Sequence, residues 1–196
     1  MKHYAITGGI GSGKSTVLTL FNKLGIPTFS ADDSAKLAME NSLEIKEKII
    51  SLFGDAAYTN GALNRKFLSE QVFYDKSKLE ALNAVVHPAA KVAYDQWRDA
   101  QDAPYTMYEI PIVFELHAQD RFDGVLLVVT PKAERIKRVK NRDKVTEDTV
   151  QARMKNQWND EQKLPLADFV IENIDLSKTE VQVNALHQQF LEESKQ

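Results

Sequence analysis

The chain has 196 residues, enough to bury a full core in one domain or in one domain with insertions, and its 43% hydrophobic and 27% charged content is that of an ordinary globular protein. A formal net charge of −3 gives no general attraction to nucleic acid or to an acidic membrane surface, so neither is an expected partner. The absence of cysteine excludes disulfides and thiolate metal sites and agrees with a reducing, cytoplasmic setting. Met1 leads straight into a strand pattern, so no signal peptide is expected, and the longest apolar run, Val125 to Val129, is too short to span a membrane.

In chain order, Lys2 to Thr7 reads as a short buried strand. Gly8-Gly9-Ile10-Gly11-Ser12-Gly13-Lys14-Ser15 follows and fits G-x-x-x-x-G-K-[ST] without a gap. Val17, Leu18, Leu20, Phe21 and Leu24 then recur at helical spacing. Strand, glycine-rich turn and helix are what a phosphate-binding P-loop requires. Glycines let the backbone turn its N–H groups inward, and the helix adds its N-terminal partial charge. A chance match in a chain this long is about one in a hundred at ordinary glycine usage. Lys14 is expected to reach the β- and γ-phosphates and the Ser15 hydroxyl to hold Mg²⁺.

A second strand is expected at Ile26 to Phe29, after the helix-stopping Gly25-Ile26-Pro27. Asp32 sits past its end, on the sheet edge where open α/β sheets bind ligands. Asp32 as the cap of a new helix and Asp32 facing the site are both open on spacing alone; Asp33 or Ser34 is the alternative cap. From about residue 35 to 103 the pattern is helical and strand-poor. Leu37, Leu43, Ile45, Ile49, Ile50, Leu52 and Phe53 suggest one packed pair of segments, and Leu63, Phe67, Leu68, Val72 and Phe73 another. Asn60-Gly61 marks the turn between them. His87-Pro88 is expected to interrupt the next helical stretch, with proline in a first turn. His87 by itself reads as a structural or surface histidine.

Strands resume at Tyr105 to Ile110 and Gly124 to Val129, with Glu109 and Glu115 as two acids near a strand end. Pro131 opens a charged segment running to Lys144, and Thr146 suits the cap of another helix. Two charged helices meeting at residues 141–144 are either a solvated hairpin or a lid that carries arginines over phosphates. Phe169 to Ile171 reads as the last strand. Lys178 to Glu193 reads as a terminal helix with Val181, Val183, Leu186, Phe190 and Leu191 on its inner side.

The P-loop alone leaves kinases, GTPases and motors open. No N-K-x-D segment is present for reading guanine, and the strand at Val125 to Val129 ends in Thr130-Pro131 rather than in an acidic pair. The arginine-rich hairpin lies where small-molecule kinases keep their lids. A phosphate acceptor needs no base, whereas a hydroxyl acceptor gains from a carboxylate that takes its proton, and Asp32 suits that role. The residues favour an ATP-dependent kinase acting on an alcohol. A kinase for a nucleoside or sugar acid, and a nucleotide sensor without catalysis, stand as alternatives.

These blocks together resemble the dephospho-coenzyme A kinase family. The resemblance runs from Ile6-Thr7-Gly8-Gly9-Ile10-Gly11-Ser12-Gly13-Lys14-Ser15-Thr16 through Leu24-Gly25, Ala31-Asp32, Gly61-x-Leu63-x-Arg65-x-x-Leu68 and His87-Pro88. It continues in Ile110-Pro111-x-x-Phe114-Glu115, Val128-Val129, Arg138-x-x-x-Arg142-Asp143, Gln157 and Ala167 to Asn173. It implies an α/β fold: a P-loop kinase-like parallel sheet flanked by helices, with a helical substrate-binding insertion and a helical lid. Residues 1–34, 104–131 and 165–196 would form the nucleotide-binding core, 35–103 the CoA-binding insertion and 132–164 the lid. The implied substrates are ATP and dephospho-CoA, with Mg²⁺ as cofactor, and the product is phosphorylated at the ribose 3′-hydroxyl.

Carried over, Asp32 is the general base. Gly11, Ser12, Gly13, Lys14, Ser15 and Thr16 contact the ATP phosphates, with Ser15 on Mg²⁺. Arg138 and Arg142 are lid arginines on ATP, and Arg65 and His87 belong to the acceptor region. Two positions depart from the pattern. Ser30 stands where many relatives have an acid, and Arg135 where many have glutamine, so no role is carried to either.

Overall fold

The computed structural model describes residues 1–73 and 75–195, which form two compact units, Met1–Phe29 with Gln101–Gln196 and Ser30–Ala100. The chain begins with β1 (Lys2–Thr7), α1 (Lys14–Lys23) and β2 (Thr28–Ser30). It continues through α2 (Ala31–Asn41), α3 (Leu43–Phe53), the two-residue strands β3 (Tyr58–Thr59) and β4 (Ala62–Leu63), α4 (Arg65–Phe73) and α5 (Lys76–Asp99). The sheet resumes with β5 (Tyr105–Glu109) and β6 (Gly124–Val129), followed by α6 (Lys132–Asp143), α7 (Glu147–Met154) and α8 (Asp160–Lys163). β7 (Phe169–Glu172) and α9 (Leu176–Glu193) close the chain.

In the first unit the strands order as β2-β5-β1-β6-β7, and the pairs β1–β5, β1–β6 and β6–β7 are parallel. β1 therefore lies at the centre, with the chain crossing from β5 on one side of it to β6 on the other. That reversal is the crevice-forming point of an open α/β sheet, and the P-loop leaves β1 there. β6, Gly124 to Val129, reads as an unbroken apolar run because both of its faces are covered. Tyr4, Ile6, Leu126 and Val128 pack with Val17, Phe21, Val183 and Phe190, while Ala5, Val125 and Leu127 on the opposite face are equally buried.

α1 ends as its sequence predicts. The Gly25 N–H reaches the Asn22 carbonyl at 2.9 Å and the Ile26 N–H reaches the Phe21 carbonyl at 3.2 Å, with Gly25 at φ 82°. This paired closure satisfies two carbonyls that the helix leaves open. In α9 Phe190 is fully buried and stacks on Tyr4 at 3.9 Å, whereas Val181 is 70% exposed. The expectation for Val181 thus fails: it stands two residues before the buried Val183, outside the arc of the helix that faces the sheet.

The second unit is helical, built on Ile45, Ile49, Ala57, Tyr58, Leu68 and Val86. Leu37, Leu43 and Leu52, expected inside, are exposed. Asn60 and Gly61, at φ 52° and 84°, make the tight turn of a small β3–β4 hairpin. α5 corrects a further expectation. It runs 24 residues with Pro88 in its interior instead of starting at it. Proline removes the N–H that would reach the Ala84 carbonyl. Ala84 is exposed, and burial of Val86, Ala90 and Tyr94 holds the helix together on both sides of the proline.

Candidate functional site

The P-loop is held by side chains from distant segments. Gly13, at φ 88°, forms the N-cap of α1 in the left-handed region, and a Cβ there would collide with the Asn173 amide. Asn173 Nδ2 donates to the Ser12 carbonyl at 2.8 Å, Thr130 Oγ1 donates to the same carbonyl at 3.0 Å, and Thr179 Oγ1 donates to Asn173 Oδ1 at 3.1 Å. The ends of β6 and β7 and the first turn of α9 therefore set the loop's path.

Lys14 is buried, its Nζ donating to the Gly8 carbonyl at 3.0 Å and lying 3.8 Å from Glu109 Oε1. The ammonium is thus held directly over the loop whose N–H groups would bind a phosphate. The Ser12 hydroxyl is buried inside the loop with no hydrogen-bond partner among the described residues. Such an orphan is costly unless an acceptor or donor enters, and a phosphate oxygen meets that need. Ser15 and Thr16 are exposed in the first turn of α1, with their hydroxyls accessible.

Of the two arginines expected on a lid, Arg138 lies near the loop. Its Nη1 comes to 3.5 Å from where Gly13 would carry a Cβ, its Nη2 donates to the Ile174 carbonyl at 3.4 Å and its Nε to Glu134 at 3.3 Å. Arg142, one turn further on, is 65% exposed and is held by Asp143, Nε to Oδ1 at 2.7 Å. Arg153 shares that carboxylate at 2.8 Å, so the three charges join the end of α6 to α7. Both arginines hold the Asp143 carboxyl below the usual range, Arg142 foremost. Thr146 caps α7 as expected, accepting from the Thr149 N–H at 3.3 Å.

Asn173, Gln157 and Arg135, like Thr130 and Thr179, went unassigned in the sequence and prove to be part of the loop's support. Asn173 and Gln157 stand in blocks that carry the family resemblance, which was the available signal; Arg135 had none beyond its place in a charge run. Glu115, one of the two acids noted, is instead structural. It pairs with the fully buried Lys163 at 3.0 Å and accepts from the Trp158 N–H at 2.9 Å.

In the second unit the cap of α2 is Ser30, whose hydroxyl accepts from the Asp33 N–H at 3.3 Å. None of the candidates Asp32, Asp33 or Ser34 is the cap. Asp32 lies in the first turn of α2 with its side chain exposed. Serine and aspartate are comparable caps, so Ser30 starts α2 without an acid at that position. His87, on α5, is half-buried; burial lowers its pKa from the usual value, and the nearby Asp32 charge opposes that shift. The second unit thus brings Asp32 and His87 together. Arg65 begins α4 and pairs with Glu40 at 2.6 Å, both side chains well exposed.

Among the described residues no group of three or more His, Cys, Asp or Glu forms a metal site, and no helix is long and apolar enough to cross a membrane. Any Mg²⁺ here would draw on phosphate oxygens and water, which is its usual mode beside a nucleotide.

A central parallel strand, a P-loop with its lysine folded inward and an arginine-bearing helix over the loop define a P-loop kinase. The solved shikimate kinase from Acinetobacter baumannii shares this fold, with a TM-score of 0.55 at 16% identity, covering 98% of this chain and 94% of that one. Closer in sequence, the crystal structure of TT1252 from Thermus thermophilus has a TM-score of 0.85 at 35% identity, covering 96% of this chain and 97% of that one. The curated dephospho-CoA kinase of Salinibacter ruber is 36% identical over 177 residues, 88% of this chain and 89% of that protein. Residues 3–178 match the family model described as Dephospho-CoA kinase. The chain belongs to the dephospho-CoA kinase family.

Proposed function

We propose that the protein transfers the γ-phosphoryl group of ATP to the ribose 3′-hydroxyl of dephospho-CoA, giving CoA and ADP, the last step of coenzyme A synthesis, in the cytoplasm. The observation that carries this reading is the family match over residues 3–178, with the whole P-loop inside it. In it, the backbone N–H groups of Gly11 to Thr16 and the Lys14 ammonium bind the phosphates of ATP. Lys14 exchanges its contact with the Gly8 carbonyl for a phosphate oxygen, so little reorganisation is needed. The Ser15 hydroxyl would help hold Mg²⁺ beside the phosphates, and the ion would supply neutralisation of their negative charge.

The Asp32 carboxylate accepts the proton of the 3′-hydroxyl as the new O–P bond forms and the bond to the β-phosphate oxygen breaks. His87, beside Asp32, orients that carboxylate or the acceptor, and Arg65 offers its fork to the acceptor's pyrophosphate. The 35–103 segment forms the acceptor site and the 132–164 segment the lid. Arg138 stabilises the transferring phosphoryl group, and Arg142 joins it on closure by leaving Asp143.

The test is ADP release with Mg·ATP, with and without dephospho-CoA, and analysis of the product for a 3′-phosphate. Asp32→Asn should lower kcat by about 10²- to 10⁴-fold while ATP binding by titration calorimetry is kept. Lys14→Ala should lose both. ATP binding without stimulation by dephospho-CoA would preserve the phosphate site and reject the acceptor, leaving a nucleoside or sugar-acid kinase as the reading to pursue.

A further inference from the structure

One cation close to the P-loop has no part in the chemistry above. Arg135, on the first turn of α6, is only 8% exposed. Its Nε donates to the Ile10 carbonyl at 2.9 Å, and its Nη1 donates to both Asp160 carboxylate oxygens at 3.2 Å. The guanidinium occupies the space that a Cβ on Gly9 would need, and the Arg135 carbonyl lies 2.7 Å from where Gly11 would carry one. From the other side, the Ile10 N–H donates to Gln157 Oε1 at 3.0 Å. Both backbone groups of Ile10 are thus gripped by side chains from the 132–164 segment.

Glycine-rich backbone is the part of a chain least able to hold its own shape. A phosphate-binding loop nevertheless has to present its N–H groups in fixed directions, because small misplacement of a positioning group is expensive in rate. Flanked by Gly9 and Gly11, Ile10 is where an outside brace has most effect. Arginine suits the task because its planar fork can serve a carbonyl and a carboxylate together.

We propose that Arg135 and Asp160 form a positioning latch that fixes the phosphate-loop backbone for ATP and ties the loop to the 132–164 segment. The inference rests on the P-loop binding ATP, and not on which alcohol is the acceptor. Arg135 acts through Ile10 and touches neither substrate. The latch also makes the loop and both ends of the 132–164 segment a single mechanical piece, so that lid movement is confined to the residues between Arg135 and Gln157.

The experiment compares wild type, Arg135→Lys, Arg135→Gln, Asp160→Asn and the Arg135→Gln/Asp160→Asn pair. Mg·ATP affinity is measured by titration calorimetry, KM for each substrate and kcat by ADP release, and the midpoint of thermal unfolding by circular dichroism. Arg135→Gln should weaken ATP binding and raise KM for ATP by about tenfold, with KM for dephospho-CoA unchanged; loss of a charge-assisted bond sets that scale. Arg135→Lys, which keeps the charge without the fork, should fall between it and wild type. Asp160→Asn should move in the same direction, and the pair should be no worse than Arg135→Gln alone.

Unchanged ATP affinity in Arg135→Gln and Asp160→Asn, with a lowered unfolding midpoint, would overturn the latch and leave a purely structural ion pair. Full additivity in the pair would overturn it as well. Should Arg135→Gln fail to fold, Arg135→Lys and Asp160→Asn decide by the same criteria. If wild type does not turn over dephospho-CoA, the acceptor reading fails separately, and the calorimetric arm still judges the latch.

Discussion

Substituting Gly13 by alanine places a methyl group where the Asn173 side-chain amide now sits, at a residue held at φ 88°. The left-handed backbone costs an L-residue about 1.5 kcal/mol. Expelling the Asn173 amide from the Ser12 carbonyl costs about 1.5 kcal/mol more, for an expected total of ~3 kcal/mol. Asn173→Ala alone should cost ~2 kcal/mol, because both former partners keep a bond. The Ser12 carbonyl still has the Thr130 hydroxyl in reach, and the Thr179 hydroxyl can turn its one proton to the Asp175 carbonyl. In the double variant the collision is gone and only strain and truncation remain, so its loss should be ~3.5 kcal/mol where simple addition gives ~5. For a chain of this length, ~3 kcal/mol lowers the thermal midpoint by about 9 °C. Urea and thermal unfolding of the two single variants and the double, followed by circular dichroism, give the coupling. A double variant that loses the full sum would refute the idea that the Gly13 requirement comes from Asn173, and would leave backbone strain as its only cause.

Two further outcomes follow from burial. His87 and His187 both have pKa values lowered by burial. Each is neutral in both folded and unfolded chains above the ordinary value of ~6.5; as pH falls below it the unfolded chain takes up the proton first and stability drops. Urea unfolding between about pH 5 and 8 should show that loss, and His87→Gln with His187→Gln should flatten it; an unchanged slope would refute the assignment. On α9, Val181→Glu should change stability by less than about 0.5 kcal/mol, while Phe190→Ala should cost about 4 kcal/mol. Comparable losses at the two sites would contradict the packing described for this helix.

The parts legible in the sequence were those decided by neighbours in the chain. The P-loop, the Gly25 helix end, the Asn60-Gly61 turn and the Thr146 cap each depend on residues within a few positions, and the structure has all four. What was misread had competing local solutions. Pro88 can start a helix or be tolerated inside one, and the burial of Val86 and Ala90 on either side decided for tolerance. Ser30, Asp32, Asp33 and Ser34 are all good caps, and the end of β2 selected Ser30. The charge run of α6 looked uniform, yet it divides into a buried Arg135, a half-buried Arg138 and an exposed Arg142.

By itself, then, the sequence determined the phosphate-loop motif: a glycine-rich turn ending in Lys14 and Ser15, whose geometry is local. Spacing and resemblance also carried the family. Only the tertiary structure decided what holds that turn in place. Asn173 is separated from Ser12 by 161 positions and Arg135 from Ile10 by 125, and both meet the loop because β1, β6 and β7 lie side by side in the sheet. Contacts of that span are set by strand order and by the filling of a shared core, which no short window of residues specifies.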